Sequence, residues 1–141
     1  MVNKMNMRAW VAALRSEMFP QGKKRLARLD RHMGVWQYCC MGVACELAAR
    51  ATRVYVQVSG DAKCFDGTGT LMPPSVYNWL GLDDGPYDSP DDPRLLMPDS
   101  DGEPFPHALS FINDDLVLTF AQIADLLEAQ YELLEDDDAG Q

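Results

Sequence analysis

The residues of this chain with the most chemical potential are its thiols. Cys39 and Cys40 stand together in the run Tyr38-Cys39-Cys40-Met41-Gly42-Val43, and Cys45 follows closely. With a helix beginning near Met41, Cys40 sits at its N-terminus, where the helix dipole favours a thiolate. A thiol nucleophile needs a base and a group to orient that base. His107 would be the base, and Asp114 or Asn113 the orienting group. The order Cys, His, Asn/Asp is that of papain-like enzymes. The competing reading is packing, since free cysteines commonly serve as small buried fillers. Metal binding is disfavoured. Zinc ligands usually come as two closely spaced pairs, whereas Cys39, Cys40, Cys45 and Cys64 give one adjacent pair and two single residues. No metal and no cofactor is expected.

A second chemistry is the capture of anions. Lys23, Lys24, Arg25, Arg28, Arg31 and His32 crowd into ten residues. Such a patch contacts phosphates, and Trp36 and Tyr38 lie close enough in sequence to stack on a base. Asn113-Asp114 has the composition of an Asx turn, a geometry that also lines pockets. The ligand-binding candidates are therefore Lys24, Arg25, Arg28, Arg31, Trp36, Asn113 and Asp114. Gly67-x-Gly69 lacks the Gly-Lys-Ser/Thr of a phosphate loop and reads as a hairpin turn.

The charge balance limits what that patch can hold. The formal net charge is −10, yet residues 1–63 carry +7 and residues 64–141 carry −17. The acidic excess repels nucleic acid over long range, so direct nucleic-acid binding is not expected. A small anion such as a nucleotide suffers less from remote acid. The acidic half also admits an opposite idea, that it imitates DNA and occupies a DNA-binding protein. The plainest reading is that the halves neutralise each other and the surplus solvates the protein.

These side chains must be positioned by a small fold. The chain has 141 residues, of which 47% are apolar, which fits one domain with one core. Met7–Met18 has helical spacing, with Asn6 as N-cap. Lys23–Asp30 fits a helical turn or weak hairpin strands equally well, and Trp36–Tyr38 reads as a short strand. A second helix covers Cys45–Arg53, with Met41 as its alternative start. Val54–Val58 and Ala62–Phe65 form a hairpin about Ser59-Gly60-Asp61. Pro74–Leu80 is a short helix with Gly81 beyond its end. Asp83–Pro106 reads as a long Asp/Pro-rich loop, and Leu109–Asn113 as a short strand. Thr119-x-x-Gln122 is a capping box opening the last helix. The whole is an α+β domain over 1–134, about three main helices packed on a small antiparallel sheet. Residues 135–141 form an acidic tail expected to be disordered.

No apolar run approaches the roughly 18–20 residues that span a bilayer, and the N-terminus lacks the apolar stretch of a signal peptide. A cytosolic protein with reduced thiols is expected. Self-association through Trp10, Leu14 and Met18 stays open.

Several patterns line up at once: Trp10-x-x-Ala13-Leu14-Arg15-Ser16, Tyr38-Cys39-Cys40-x-Gly42-Val43-x-Cys45, Trp79-Leu80-Gly81-Leu82, Asn113-Asp114 and Phe120-x-x-Ile123-Ala124. Together they resemble a family of small proteins encoded by tailed bacteriophages and prophages, over about Trp10 to Glu128. The family carries no assigned activity, so the resemblance implies an origin and not a mechanism. The acidic stretch 83–106 and the tail are longer than that pattern. The resulting expectation is a phage accessory protein in the host cytosol. It binds a host protein or a small anionic ligand stoichiometrically and interferes with host physiology or defence. The rival is a cysteine-dependent hydrolase or transferase with Cys40 as nucleophile.

Overall fold

The computed structural model describes residues 2–82, 90–98 and 100–134. The acidic tail expected at 135–141 lies outside the described residues. The elements run α1 (Lys4–Arg15), β1 (Ala27–Asp30), β2 (Val35–Tyr38), α2 (Cys40–Ala51), β3 (Val56–Ser59), β4 (Ala62–Phe65), α3 (Pro74–Leu80), β5 (Arg94–Pro98), β6 (Pro104–Ala108), α4 (Leu109–Asp114) and α5 (Phe120–Gln130). The α+β class and an antiparallel sheet are as expected. The helix count is not: among the described residues five helices stand where about three main helices were expected.

α2 is the hub. It packs against α1, α3, α4 and β2, and every residue from Cys40 to Cys45 is buried. A helix enclosed on several sides needs small and apolar residues all round, which accounts for the composition of this run. Gly42 is the closest point. A Cβ there would stand 1.7 Å from the Leu26 carbonyl oxygen, so the helix rests directly on the backbone leading into β1. Trp10, fully buried on α1, donates its indole N–H to the Cys40 carbonyl at 2.9 Å.

The larger sheet has the order β2-β1-β4-β3, all antiparallel. Facing residues of an antiparallel pair share one side of the sheet. Ala27 pairs with Tyr38 and with Lys63. Ala27 and Tyr38 are buried, so this side faces the helices. Arg28 pairs with Gln37 and with Ala62, which places all three on the opposite, solvent side. Of the two readings open for Lys23–Asp30, the strand is the one adopted.

Three expectations are corrected. The N-cap of α1 is Asn3, whose side chain accepts from the Asn6 backbone N–H at 3.0 Å; Asn6 lies inside the helix and bonds the Trp79 carbonyl instead. Leu109–Asn113 is helical, because Leu109, Ile112 and Asn113 turn inward at helical spacing. Of the expected loop 83–106, residues 83–89 and 99 lie outside the described residues, and the rest is not all loop. β5 and β6 form a hairpin beginning at Arg94. Gln130 of α5 completes its outer edge, accepting from the Leu96 N–H at 2.7 Å and donating to the Arg94 carbonyl at 2.8 Å. A side-chain amide has the same donor–acceptor pair as a peptide, so it can stand in for a neighbouring strand. The capping box at Thr119 and Gln122 and the left-handed Gly81 are as expected.

Candidate functional site

Asn113 is fully buried and its side chain makes four hydrogen bonds. Its Oδ1 accepts from the Cys40 backbone N–H at 3.2 Å and from Gln21 Nε2 at 3.0 Å. Its Nδ2 donates to the Gly22 carbonyl at 2.9 Å and to Asp114 Oδ1 at 2.8 Å. Gln21 also donates to the Leu118 carbonyl at 2.8 Å, and Asp114 Oδ1 accepts from the Lys24 N–H at 3.0 Å. The N-cap residue Cys39 offers no side-chain hydrogen bond to α2. Asn113, arriving from α4, takes over that task for one of the orphan N–H groups every helix start leaves. The same amide ties the segment Gln21–Lys24 to the core.

A cavity of about 90 Å³ lies beside this network, bordered by Cys39, Cys40, Ser110, Asn113, Asp114 and Lys24 among others. Cys40 is at the first position of α2, where the dipole would help a thiolate. Burial overrides the dipole. Desolvation, with Cys39, Asp92 and Asp114 nearby, pushes the Cys40 thiol well above its ordinary range. Desolvation likewise pushes Cys39 up to about 12. Cys40 Sγ has the Leu109 carbonyl at 4.0 Å. His107 is elsewhere: it stands on β6 between Phe105 and Phe111, with ring centroids 5.4 and 5.8 Å away, and borders a separate groove. Asp114 therefore adjoins Cys40 across the small cavity, while His107 does not join them. Asn113 is spent on structure, with all its hydrogen-bonding capacity used within the chain.

The cationic stretch opens onto a different place. A groove of about 520 Å³ runs over the solvent side of the sheet, within the size range of small-ligand sites. Lys23, Arg28, Arg31 and His32 bring positive or protonatable groups to it, from the segment before β1, from β1 itself and from the β1–β2 turn. Lys23, Arg28 and Arg31 enter no ion pair among the described residues. Asp30, Asp61, Gln21 and Gln37 supply acceptors and amides to the same groove. Asp30 Oδ1 is partly committed, accepting from the His32 and Met33 N–H groups of the turn.

The candidates thus divide. Arg28 and Arg31 line the groove; Lys24, Asn113 and Asp114 line the small cavity; Arg25 is exposed and borders neither. Trp36 is on the opposite side of the sheet, with Lys63 Nζ 4.9 Å above its ring, so it cannot stack on anything bound at the groove. That is a correction, and its reason is strand alternation: Trp36 pairs with Leu29, not with Arg28. Lys63 itself is held by Tyr38 Oη at 3.1 Å and Glu46 Oε1 at 3.2 Å. Burial opposes its charge, but Tyr38 and Glu46 more than offset this and leave it above the ordinary lysine range.

Sequence reasoning did not single out Gln37, Asp30 and Asp61 as groove residues. Period-two alternation from Arg28 would have found Asp30. Gln37 and Asp61 needed the strand register and the hairpin that brings β4 beside β1.

Among the described residues no cluster of His, Cys, Asp and Glu is arranged to hold a metal ion, and no helix is long and apolar enough to cross a membrane. Trp10 and Leu14, considered for self-association, are buried within the chain, while Met18 is exposed. Neither a curated protein nor a solved structure matches the chain. A family model does, described as a domain of unknown function (DUF8296) and matching residues 1–131. The chain belongs to that family.

Proposed function

We propose that this protein is a stoichiometric binding module that captures a small anionic ligand in the groove over the solvent side of the larger sheet. The observation that carries this reading is the set of Lys23, Arg28 and Arg31 around one groove, without ion pairs among the described residues, in a chain of net charge −10. Eighteen of its carboxylates lie in residues 64–141, so neutralising partners are abundant in the molecule. Cations kept apart from them retain their full charge for something external. One wall of the groove is held in shape: Asn113 and Asp114 pin Gln21–Lys24, so that wall needs little ordering on binding. The resemblance to small phage proteins supports an accessory role in an infected host cell, where removing a small anion would disturb physiology or defence signalling.

The cysteine-nucleophile reading has less support. The thiol is fully buried and resists ionisation, and His107 borders a different groove.

Thermal unfolding in the presence of pyrophosphate tests the proposal. Pyrophosphate should raise the unfolding midpoint at low salt, and the rise should shrink as salt is added. The double variant Arg28→Ala/Arg31→Ala should fold and show no such rise. An unchanged midpoint in the wild type, or an equal rise in the double variant, would overturn the reading.

A further inference from the structure

We infer that the ligand of this groove is a phosphorylated sugar or polyol, one that presents hydroxyl groups beside its phosphate and no base for stacking. The inference rests on the anion-binding reading above and narrows it. Two observations carry it.

The first is the mixture of charges. A site for a bare phosphate gains nothing from carboxylates, which repel it. Yet Asp30 and Asp61 border this groove together with Lys23, Arg28 and Arg31. Neither carboxylate forms an ion pair with the neighbouring cations. Asp61 makes only a backbone contact, its carbonyl accepting from the Leu29 N–H at 2.7 Å, so its carboxylate is uncommitted among the described residues. Ionised carboxylates are acceptors only, and the complementary donors on a neutral ligand portion are hydroxyls. Gln37 and Gln21 add amides. The Gln21 Nε2 group is already used on Asn113 and Leu118, whereas Gln37 makes no side-chain hydrogen bond within the described residues. A groove that brings Lys23, Arg28 and Arg31 together with carboxylate and amide acceptors, Gln37 standing directly opposite Arg28, matches a molecule that carries hydroxyl groups close beside its phosphate.

The second observation is what the lining lacks. Its one ring is that of His32, and Leu29, its one large apolar residue, pairs with Trp36 and so directs its side chain to the other side of the sheet. Recognition of a nucleobase normally relies on a stacking face. The nearest candidate, Trp36, points to the other side of the sheet. A base would find little to lie against, while a sugar phosphate needs no such surface.

Isothermal titration calorimetry of the full chain with four probes decides the matter: inorganic phosphate, ribose, ribose 5-phosphate and adenosine 5′-monophosphate. Ribose 5-phosphate should bind at least tenfold tighter than phosphate, and the added base should not improve it tenfold. Asp61→Ala should bring ribose 5-phosphate down to the level of phosphate while phosphate binding stays or strengthens. Gln37→Ala, a solvent-side substitution, should weaken the preference in the same direction and guards against a turn defect in Asp61→Ala. Arg28→Ala should weaken phosphate and ribose 5-phosphate alike. Equal affinity for phosphate and ribose 5-phosphate in the wild type, or an intact preference in both Asp61→Ala and Gln37→Ala, would overturn the sugar assignment and leave the anion-binding reading standing. So would a tenfold gain from the base. Binding of none of the phosphorylated probes would remove both.

Discussion

Asn113, near the end of one helix, caps the start of another: its Oδ1 accepts from the Cys40 backbone N–H at 3.2 Å, 73 residues away in sequence. The relationship fixes three things together, namely the first turn of α2, the segment Gln21–Lys24 and the end of α4. Asn113→Ala would leave the Cys40 N–H and the Gly22 carbonyl without their partner. A buried group stripped of its partner costs about 1–3 kcal/mol. We expect Asn113→Ala to lose about 3 kcal/mol or more in urea unfolding, with both groups orphaned. Asn113→Asp should also destabilise, because it removes the donor to Gly22 and sets a carboxylate against Asp114. A loss under 1 kcal/mol for Asn113→Ala would show that water replaces the amide.

Gly42 makes the second expected sensitivity. A methyl group there would meet the Leu26 carbonyl oxygen at 1.7 Å and its carbon at 2.6 Å. Backbone cannot move aside as a flexible side chain can. Gly→Ala inside a helix ordinarily gains about 0.5–1 kcal/mol; here we expect Gly42→Ala to lose about 3 kcal/mol or more through overpacking. Thermal melts of the variant give the sign directly, and a stabilised variant would contradict the close approach.

The thiols carry a third expectation. Cys39, Cys40 and Cys45 are buried and held protonated by desolvation, while Cys64 is partly exposed. A thiol-reactive chromogenic reagent at neutral pH should label Cys64 on the native protein and reach the other three only after unfolding. The sign of the pH dependence follows. A raised folded pKa means the folded state keeps protons that the unfolded chain releases. Stability is therefore constant below the unfolded thiol pKa of about 9 and falls as pH rises towards about 12, the value for Cys39. Native labelling of Cys40 near pH 7 would revive the nucleophile.

Arg15 gives the mildest effect. It joins α1 to α5 through Glu128 at 2.6 Å and Asp125 at 2.5 Å. Hydrogen bonding from Arg15 holds the Glu128 carboxyl below its ordinary range. That part of stability is present above the usual carboxylate pKa and lost as pH falls through the lowered folded value. The pair sits at the edge of the protein, with side-chain exposures of 35% for Arg15 and 17% for Glu128, so salt and water still reach it, and Arg15→Ala should cost about 1 kcal/mol, less in high salt. Denaturant midpoints at two salt concentrations will show it.

Local structure was readable where it depends on neighbours in the chain. The Thr119–Gln122 capping box, the hairpin about Gly60, the Pro74–Gly81 helix and the strand at Trp36–Tyr38 follow from propensity and short-range hydrogen bonding. The β5–β6 hairpin was not readable, because its prolines and aspartates spell a loop, and Gln130 of α5 supplies the bonds that complete its outer edge. The α4 helix was missed for a related reason. Its first turn is capped by Asp92, which accepts from the Ser110 N–H at 3.0 Å and the Ser110 hydroxyl at 2.6 Å, from 18 residues upstream.

By itself the sequence determined the α+β class, the clustering of cations in one short stretch, the burial-prone composition of Tyr38–Val43 and the membership of a family matched over residues 1–131. These are properties of composition and of residues a few positions apart. Tertiary structure alone decided which side of the sheet each cation and ring occupies, that His107 stands apart from Cys40, and that Asn113 caps the start of α2. The physical reason is common to all three. A side chain's partners at a helix start, a strand face or a groove come from other segments, as much as 92 residues distant, and only the folded register brings their donors and acceptors within hydrogen-bonding range.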